Sequence, residues 1–312
     1  MLPIHFAPLQ GYTEAPYRRI HQVVCGGVDT YYTPFIRLEH GQIRKKDLRE
    51  ALPEQNAGVH IVPQVIASDG AEFAVLADKL IELGHQEIDI NMGCPFPLQT
   101  RLGRGSGILP HPDKVTGILQ QATRLHNEKG VSFSVKMRLG QESPEECMSL
   151  LPILNDTPLK HITLHPRVGR SQYKGELDMD SFGAFYNESS NPIVFNGMLL
   201  SVEDLQRMES SFPKLVGLMV GRGLLARPTL AQEYISGQSL SDEEARRKVL
   251  EMHRQLMAHY SEAIEGGEGQ LVQKMQSFWE YQEPLFGHKA VKKVLKSGSL
   301  RNYREAVANI NK

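Results

Sequence analysis

The sequence predicts an α/β fold, a (β/α)8 TIM barrel followed by a small C-terminal helical bundle domain, on three observations. Eight short strand-like runs fall within the first 235 residues, most followed by a helical pattern, which is the size and rhythm of such a barrel. The first run ends Ala7-Pro8-Leu9-Gln10-Gly11 without the Gly-x-Gly-x-x-Gly turn that a doubly wound sheet, the runner-up, would want. After Ser239 strand signals stop and only helical patterns continue.

In chain order the runs are 4–7, 30–33, 61–66, 87–91, 133–137, 161–165, 192–195 and 215–220. The fourth is organised by period two: Ile88 and Ile90 alternate with Asp89 until Gly93 and Pro95 stop the strand. Helical spacing is clear over 71–84, where Phe73, Leu76, Leu80 and Leu83 recur at three- and four-residue steps before Gly84. Residues 113–128 and 144–154 read the same way, the latter with Ser143 as N-cap. The crossover over 41–58 is polar and basic and can be placed only loosely. Beyond a polar link at 236–239, Ser241 and Glu244 have capping-box spacing and open a basic, aromatic-studded helical region. The expected division is a catalytic barrel over 1–235 and a helical domain over 240–312.

At 312 residues and 40% hydrophobic the chain can bury a large core, and its net charge of −1 argues neither for nor against a polyanionic partner. Cys25, Cys94 and Cys147 are widely spaced with no Cys-x-x-Cys pair. That set points to a reduced, cytoplasmic protein with neither a disulfide framework nor a metal cluster. The N-terminus lacks a basic region followed by an apolar one, and no apolar run approaches the ~20 residues that span a bilayer, so no membrane association is expected.

In a barrel of this kind chemistry sits at the C-terminal ends of the strands. Those ends carry Pro8-Leu9-Gln10, Gln64, Asn91 with Cys94, Lys136 with Arg138, His165 with Arg167, Asn196-Gly197, and Gly221-Arg222-Gly223. A lone Lys or Gln there is more often a solvated rim residue, but seven polar or glycine-rich ends are harder to dismiss. The last two, in FNGML and VGRGLL, put glycines where backbone N–H groups approach an anion, with Arg222 adding charge and a helix beginning near Leu224. Two ordinary glycine turns are the plain alternative. Cys25 and Cys147 read as small buried apolar groups. Cys94, at a strand exit, reads as a nucleophile with His165 as a conceivable base, or as a proton donor, since a free thiol is largely protonated at neutral pH.

NMGCP, SVKMRLG, LHPRVGRSQYKGELD (with its His-x-Arg-x5-Tyr-x-Gly spacing), FNG and LMVGRGLL, in this order, resemble the tRNA-dihydrouridine synthase family, and the likeness runs from FAPLQGYTEAPYRR to the C-terminal helices. The resemblance implies an FMN-dependent oxidoreductase that reduces uridine in tRNA to 5,6-dihydrouridine, with NADPH as electron donor. Hydride would go to C6 and a proton from Cys94 to C5. It further implies that Pro8, Leu9, Gln10, Gln64, Lys136, His165, Asn196, Gly197, Met198, Gly221 and Arg222 contact FMN. Asn91, Arg138, Arg167, Arg37 and Lys274 would face the uracil or the RNA, with Arg37 and Lys274 the weaker candidates. The target uridine would have to be flipped out of its stack. The C-terminal helices, with Lys289, Lys292, Lys293, Lys296, Trp279 and Tyr281, would hold the RNA backbone, although the aromatics read better as packed core. No obligate protein partner is expected, and the protein reads as a monomer.

Three departures from the family pattern stand out. Leu9 replaces the usual Met, a volume-conserving change. The loop after Cys94, PFPLQTRLGRGSG, lacks the usual nearby basic residue, for which Arg101 or Arg104 would have to substitute. The net charge is low for a tRNA binder. The alternatives are a flavin barrel acting on a small molecule, an enzyme of this type acting on rRNA, and an RNA-binding protein that keeps FMN only as structure.

Overall fold

A computed structural model describes residues 1–310; Asn311 and Lys312, the last two residues of the expected helical domain, lie outside the described residues. The eight runs form the staves of a parallel barrel. They are β1 (Ile4–Phe6), β2 (Thr30–Tyr32), β3 (Ile61–Val62 continued by Gln64–Val65), β4 (Glu87–Met92), β5 (Ser132–Gly140), β6 (Leu159–Val168), β7 (Ile193–Asn196) and β8 (Leu215–Val220). Hydrogen bonding runs from the first half of β3 through β2, β1, β8, β7, β6, β5 and β4 to the second half of β3. The break in β3 falls at Pro63, which has no N–H to donate. Its carbonyl still accepts from the Asp89 N–H at 2.9 Å, so the seam holds.

Alternation along the staves sorts side chains into two environments. Ile88, Ile90, Phe133, Val135, Met137, Ile162 and Leu164 point outward into the core beneath the helices. Each such residue stabilises the fold by about 1.5–3 kcal/mol on burial. Ala7, Tyr32, Val62, Val194 and Met219 form a separate cluster inside the barrel. Register places Asp89 opposite Ser134 and Asn91 opposite Lys136, so polar residues of β4 and β5 share the interior near the rim.

The helices follow their local signals with small shifts. The helix expected over 71–84 spans Gly70–Glu82, because the Asp69 carboxylate accepts the Glu72 N–H and starts it early. Pro112–Lys129 ends at Gly130 in the left-handed conformation. In Glu145–Asn155 the N-cap is Pro144, not Ser143. The loosely placed crossover contains a hairpin of Leu38–Glu39 with Gln42–Ile43, a short helix Lys45–Arg49 and a 3-10 turn Pro53–Asn56.

Ser241 and Glu244 make the expected capping box at the start of Asp242–Ala263. Helices Gly267–Trp279, Glu283–Phe286, His288–Leu295 and Leu300–Ala308 follow. Trp279 is fully buried and donates to the Tyr303 hydroxyl at 2.8 Å, so it is core rather than RNA surface. The apolar core runs unbroken from the barrel into these helices. Lys248 donates to the Val24 carbonyl at 2.6 Å and Gln282 to that of Leu225 at 2.6 Å, tying the two parts together. Among the described residues no helix is long and apolar enough to cross a membrane.

The fold buries several neutral histidines. His21 bonds the Tyr31 hydroxyl and the Pro228 carbonyl, and burial lowers its pKa from 6.5 to about 4. His253, bonded to Tyr303, is likewise lowered to about 4 by burial. The unfolded chain therefore binds protons that the folded chain refuses. Stability is complete above pH 6.5 and is lost as pH falls from 6.5 toward 4, by up to about 3 kcal/mol for each fully buried histidine. Urea midpoints measured across that window should fall with pH, and replacing His21 with Gln should flatten the slope.

Candidate active site

The C-terminal ends of the staves surround a cavity of about 600 Å3, within the range of about 300–1,000 Å3 usual for small-molecule and cofactor sites. Every residue expected to touch the cofactor, from Pro8 to Arg222, lines it, as do Cys94, Asn91 and Arg138. Arg37, Arg167 and Lys274 do not. The Arg167 guanidinium donates to His165 Nε2 at 3.3 Å and to the Gly175 carbonyl at 2.8 Å. Lys274 pairs with Glu14 at 2.8 Å and lies over the Tyr260 ring, joining a C-terminal helix to the loop after β1. Arg37 stands beside the hairpin, 3.8 Å from Glu39 and 4.0 Å from Asp47.

Cys94 is held by the strand exit that carries it. The Asn91 side-chain oxygen Oδ1 accepts the N–H of Gly93 at 3.0 Å and of Cys94 at 2.9 Å. From the other side, the Cys94 carbonyl accepts the Ser106 N–H at 3.0 Å and its hydroxyl at 3.1 Å. Gly105 permits this approach, since a Cβ there would collide with the Cys94 carbonyl and its φ is +59°. Burial pushes the Cys94 thiol up; the Phe96 N–H, Lys136 and Arg138 pull the other way without overturning that. The group is an acid at neutral pH.

His165 is not arranged as its base. The Arg167 donor leaves Nε2 an acceptor, so Nδ1–H donates to Asn196 Oδ1 at 3.2 Å. The Asn196 amide nitrogen in turn bonds the Met219 carbonyl at 2.7 Å, which fixes which way that amide faces. Burial and then Arg138 hold His165 well below the usual histidine value. A neutral imidazole with both nitrogens engaged has no site left for a thiol proton.

Lys136 brings a cation to the cavity. Among the described residues its ammonium has no ion-pair or hydrogen-bond partner, although burial lowers its pKa from 10.5 to about 8. Arg138 donates instead to the carbonyls of Gly93 at 3.0 Å, Val168 at 3.0 Å and Gln172 at 2.7 Å, bracing the loops on either side. Arg138 and Arg222 both lie over the Tyr173 ring, at 5.5 and 4.9 Å.

The last two loops pack tightly, Gly223 against the Leu199 carbonyl, and Met198 takes φ +44°, a strained value of the kind that collects at ligand sites. The helix there begins at Arg222, not near Leu224, and runs only to Ala226. Arg104 is committed to Glu72 and to the Leu38 carbonyl, so it cannot replace the missing basic residue; Arg101 remains exposed. Phe96 and Leu98 stand 58% and 78% exposed and line the cavity with Met198 and Leu200, so this part of the lining is apolar where a cation was expected. Spacing gives no sign of Tyr12, Phe35 or Met219 in the lining, whereas Tyr173 is legible as the Tyr of the His-x-Arg-x5-Tyr-x-Gly motif.

The family model for dihydrouridine synthase (Dus) matches residues 5–310. The chain belongs to the dihydrouridine synthase family. It is 30% identical over 228 residues to tRNA-dihydrouridine synthase B of Pasteurella multocida, covering 73% of this chain and 67% of that one. It is 27% identical over 236 residues to the tRNA-dihydrouridine(16) synthase of Haemophilus ducreyi, covering 73% of this chain and 72% of that one. In fold alone it resembles the old yellow enzyme from Trypanosoma cruzi, with a TM-score of 0.54 at 8% identity, over 76% of this chain and 89% of that one. These relatives include both a synthase B and a tRNA-dihydrouridine(16) synthase, so family membership leaves the modified position open.

Proposed function

We propose that this dihydrouridine synthase binds FMN in the barrel cavity, takes its electrons from NADPH, and uses Cys94 as the acid that protonates C5 of a flipped-out uridine. As a member of its family the chain is a flavin-dependent oxidoreductase that reduces uridine in tRNA to dihydrouridine. The observation that carries the finer reading is a protonated thiol at the wall of a cavity where, among the described residues, the Lys136 ammonium stands unpartnered.

The donor set suits FMN. Ala7, Leu9 and Met219 offer apolar surface to a flat ring, and Lys136 would supply the cation for a ring oxygen that gains negative charge. Asn196-Gly197-Met198 and Gly221-Arg222-Gly223 supply backbone N–H groups and a guanidinium for a phosphate. Bound there and reduced by NADPH, FMN would supply the hydride for C6. Cys94 gives its proton to C5, and Lys136 and Arg138 stabilise the thiolate left behind until water returns a proton. Arg138 and Arg222 fix the Tyr173 ring as one wall for the uracil.

Residues 240–312 serve as the RNA-holding domain, and the protein acts as a cytoplasmic monomer. Lys289, Lys292, Lys293 and Lys296 are exposed and, among the described residues, unpaired. Phosphate contacts made through such lysines raise affinity in a salt-dependent way. Changing Lys292 and Lys293 together to Glu should raise the KM for tRNA about ten-fold at low salt and flatten its salt dependence. Flavin reduction by NADPH in the same variant provides the comparison.

The direct test is optical and chemical. Purified protein should be yellow, be bleached by NADPH without air, and regain colour on adding tRNA that lacks dihydrouridine. A colourless protein that cannot be reconstituted with FMN would end the flavin reading. Bleaching by NADPH with reoxidation by small enones but not by tRNA would move the substrate to small molecules.

A further inference from the structure

Beneath Cys94 lies a buried carboxylate that the reaction above does not use. Asp89 is fully buried on β4 and accepts two hydrogen bonds, from the Ser134 hydroxyl at 2.6 Å and from Gln64 Nε2 at 2.7 Å. Gln64 Oε1 accepts in turn from Asn91 Nδ2 at 2.7 Å. Asn91 Oδ1 then receives the N–H groups of Gly93 and Cys94. The chain therefore runs from an acceptor-only anion, through two side-chain amides in series, to two donor-only backbone groups.

Such a chain has a polarity. A carboxylate can only accept, so Gln64 must turn its nitrogen toward Asp89 and its oxygen toward Asn91. Asn91 must then offer nitrogen to Gln64 and oxygen to the Cys94 loop. Reversing either amide sets acceptor against acceptor at one end or donor against donor at the other, and a buried mismatch of that kind is costly. We propose that Asp89 is a positioning residue: the acceptor it turns to Gln64 sets the orientation of both amides, so that Asn91 presents oxygen to the N–H of Cys94 and holds the thiol at the cavity wall. Only the thiol's assigned role rests on the function proposed above. The polarity of the chain does not.

The electrostatics agree. Burial raises the Asp89 pKa from 3.8 to about 6, and the bonds from Ser134 and Gln64 and the charge of Lys136 act against that rise. At neutral pH the group is ionised and accepts only. Tyr32 on β2 also faces it, and burial first and then Asp89 keep that phenol protonated. In this account Asn91 and Gln64 border the cavity but spend most of their hydrogen-bonding capacity inside the protein.

The polarity can be reversed on paper and at the bench. Asn91→Asp keeps an acceptor for the two N–H groups but turns a second carboxylate toward Gln64, whose single nitrogen cannot satisfy both ends. Asp89→Asn alone presents its oxygen to Gln64 and its nitrogen to Ser134, whose hydroxyl can accept. With both changes every partner is satisfied again. Ser134 donates to the oxygen of the new amide, whose nitrogen donates to Gln64 Oε1. Gln64 Nε2 then donates to the new carboxylate, which still accepts the N–H of Cys94.

The experiment measures melting temperature and tRNA reduction for the full-length parent, the two single variants and the double variant. Asn91→Asp should lower kcat for tRNA at least thirty-fold with KM within about two-fold, and should lower the melting temperature. Asp89→Asn should cost less than five-fold. The double variant should recover at least ten-fold in kcat over Asn91→Asp and regain most of the melting temperature. If Asn91→Asp cannot be purified folded, the double variant should restore soluble protein. A double variant no better than Asn91→Asp, or a harmless Asn91→Asp, overturns the proposal. The melting readout stands even if the protein proves not to reduce tRNA, so the two failures are distinguishable.

Discussion

Replacing Cys94 with Ala is expected to cut dihydrouridine formation in tRNA by about 10²–10⁴-fold, the usual contribution of a positioned general acid. The first half of the cycle should survive, because in the proposed reaction the thiol takes no part in hydride delivery from NADPH. Anaerobic bleaching of the flavin by NADPH is therefore expected at nearly the parental rate, with tRNA-dependent reoxidation slowed. The loss follows from where the sulfur sits. It belongs to a buried thiol that burial keeps protonated, on a loop held by Asn91 on one side and Ser106 on the other. Cys94→Ser should fall between the two, since a hydroxyl fits the space but gives up its proton far less readily. Equal rates for parent and Cys94→Ala would remove the proton-donor role.

The largest loss of stability is expected at Arg18, within the APYRR segment. Its side chain has no exposure and donates to the Thr13 carbonyl at 2.6 Å, the Glu50 carboxylate at 3.0 Å, the Glu50 carbonyl at 2.9 Å and Asn56 at 2.7 Å. Glu50 also accepts the Ala15 N–H at 2.7 Å. One guanidinium thus ties the start of the first helix to the crossover that sequence spacing could not place. Arg18→Met keeps the bulk and removes the donors, leaving the half-buried Glu50 carboxylate without its counter-ion and the Thr13 carbonyl and Asn56 Oδ1 without partners. Breaking such a pair costs about 3–5 kcal/mol, which for a chain of this size corresponds to a fall of roughly 10 °C in Tm. The loop that presents Leu9 and Gln10 to the cavity hangs from Thr13, whose hydroxyl accepts the Leu9 N–H at 2.9 Å, so weaker cofactor binding should accompany the lower Tm. Calorimetry and flavin titration of the variant measure both.

Much of the barrel is legible because parallel staves are buried on both faces and announce themselves as short apolar runs between helical patterns. The break inside the third run is not read from its apolar pattern, although Pro63 marks it, since a proline removes a ladder donor wherever it stands. The hairpin at Leu38–Ile43 is not legible, because its strands are two residues each and carry no period.

The site is legible where strand register alone decides it, since a residue at the C-terminal end of a stave must border the mouth. What long side chains reach is a different matter. Arg167 and Lys274 carry charges that the family resemblance assigns to the RNA, but one is used on His165 and the other on Glu14. In the sequence Asp89 is only the polar beat of an alternating strand. Its significance lies in the amides of Gln64 and Asn91, which come from two different staves and meet only in the folded barrel.

The most direct measurement is a single turnover without air. Protein reduced by one equivalent of NADPH is mixed with tRNA from cells lacking this enzyme, and flavin colour and nucleoside mass are followed together. One dihydrouridine should appear for each flavin reoxidised, with the parent protein and not with Cys94→Ala. Reoxidation that yields no dihydrouridine, or tRNA that leaves the reduced flavin untouched, would contradict the account.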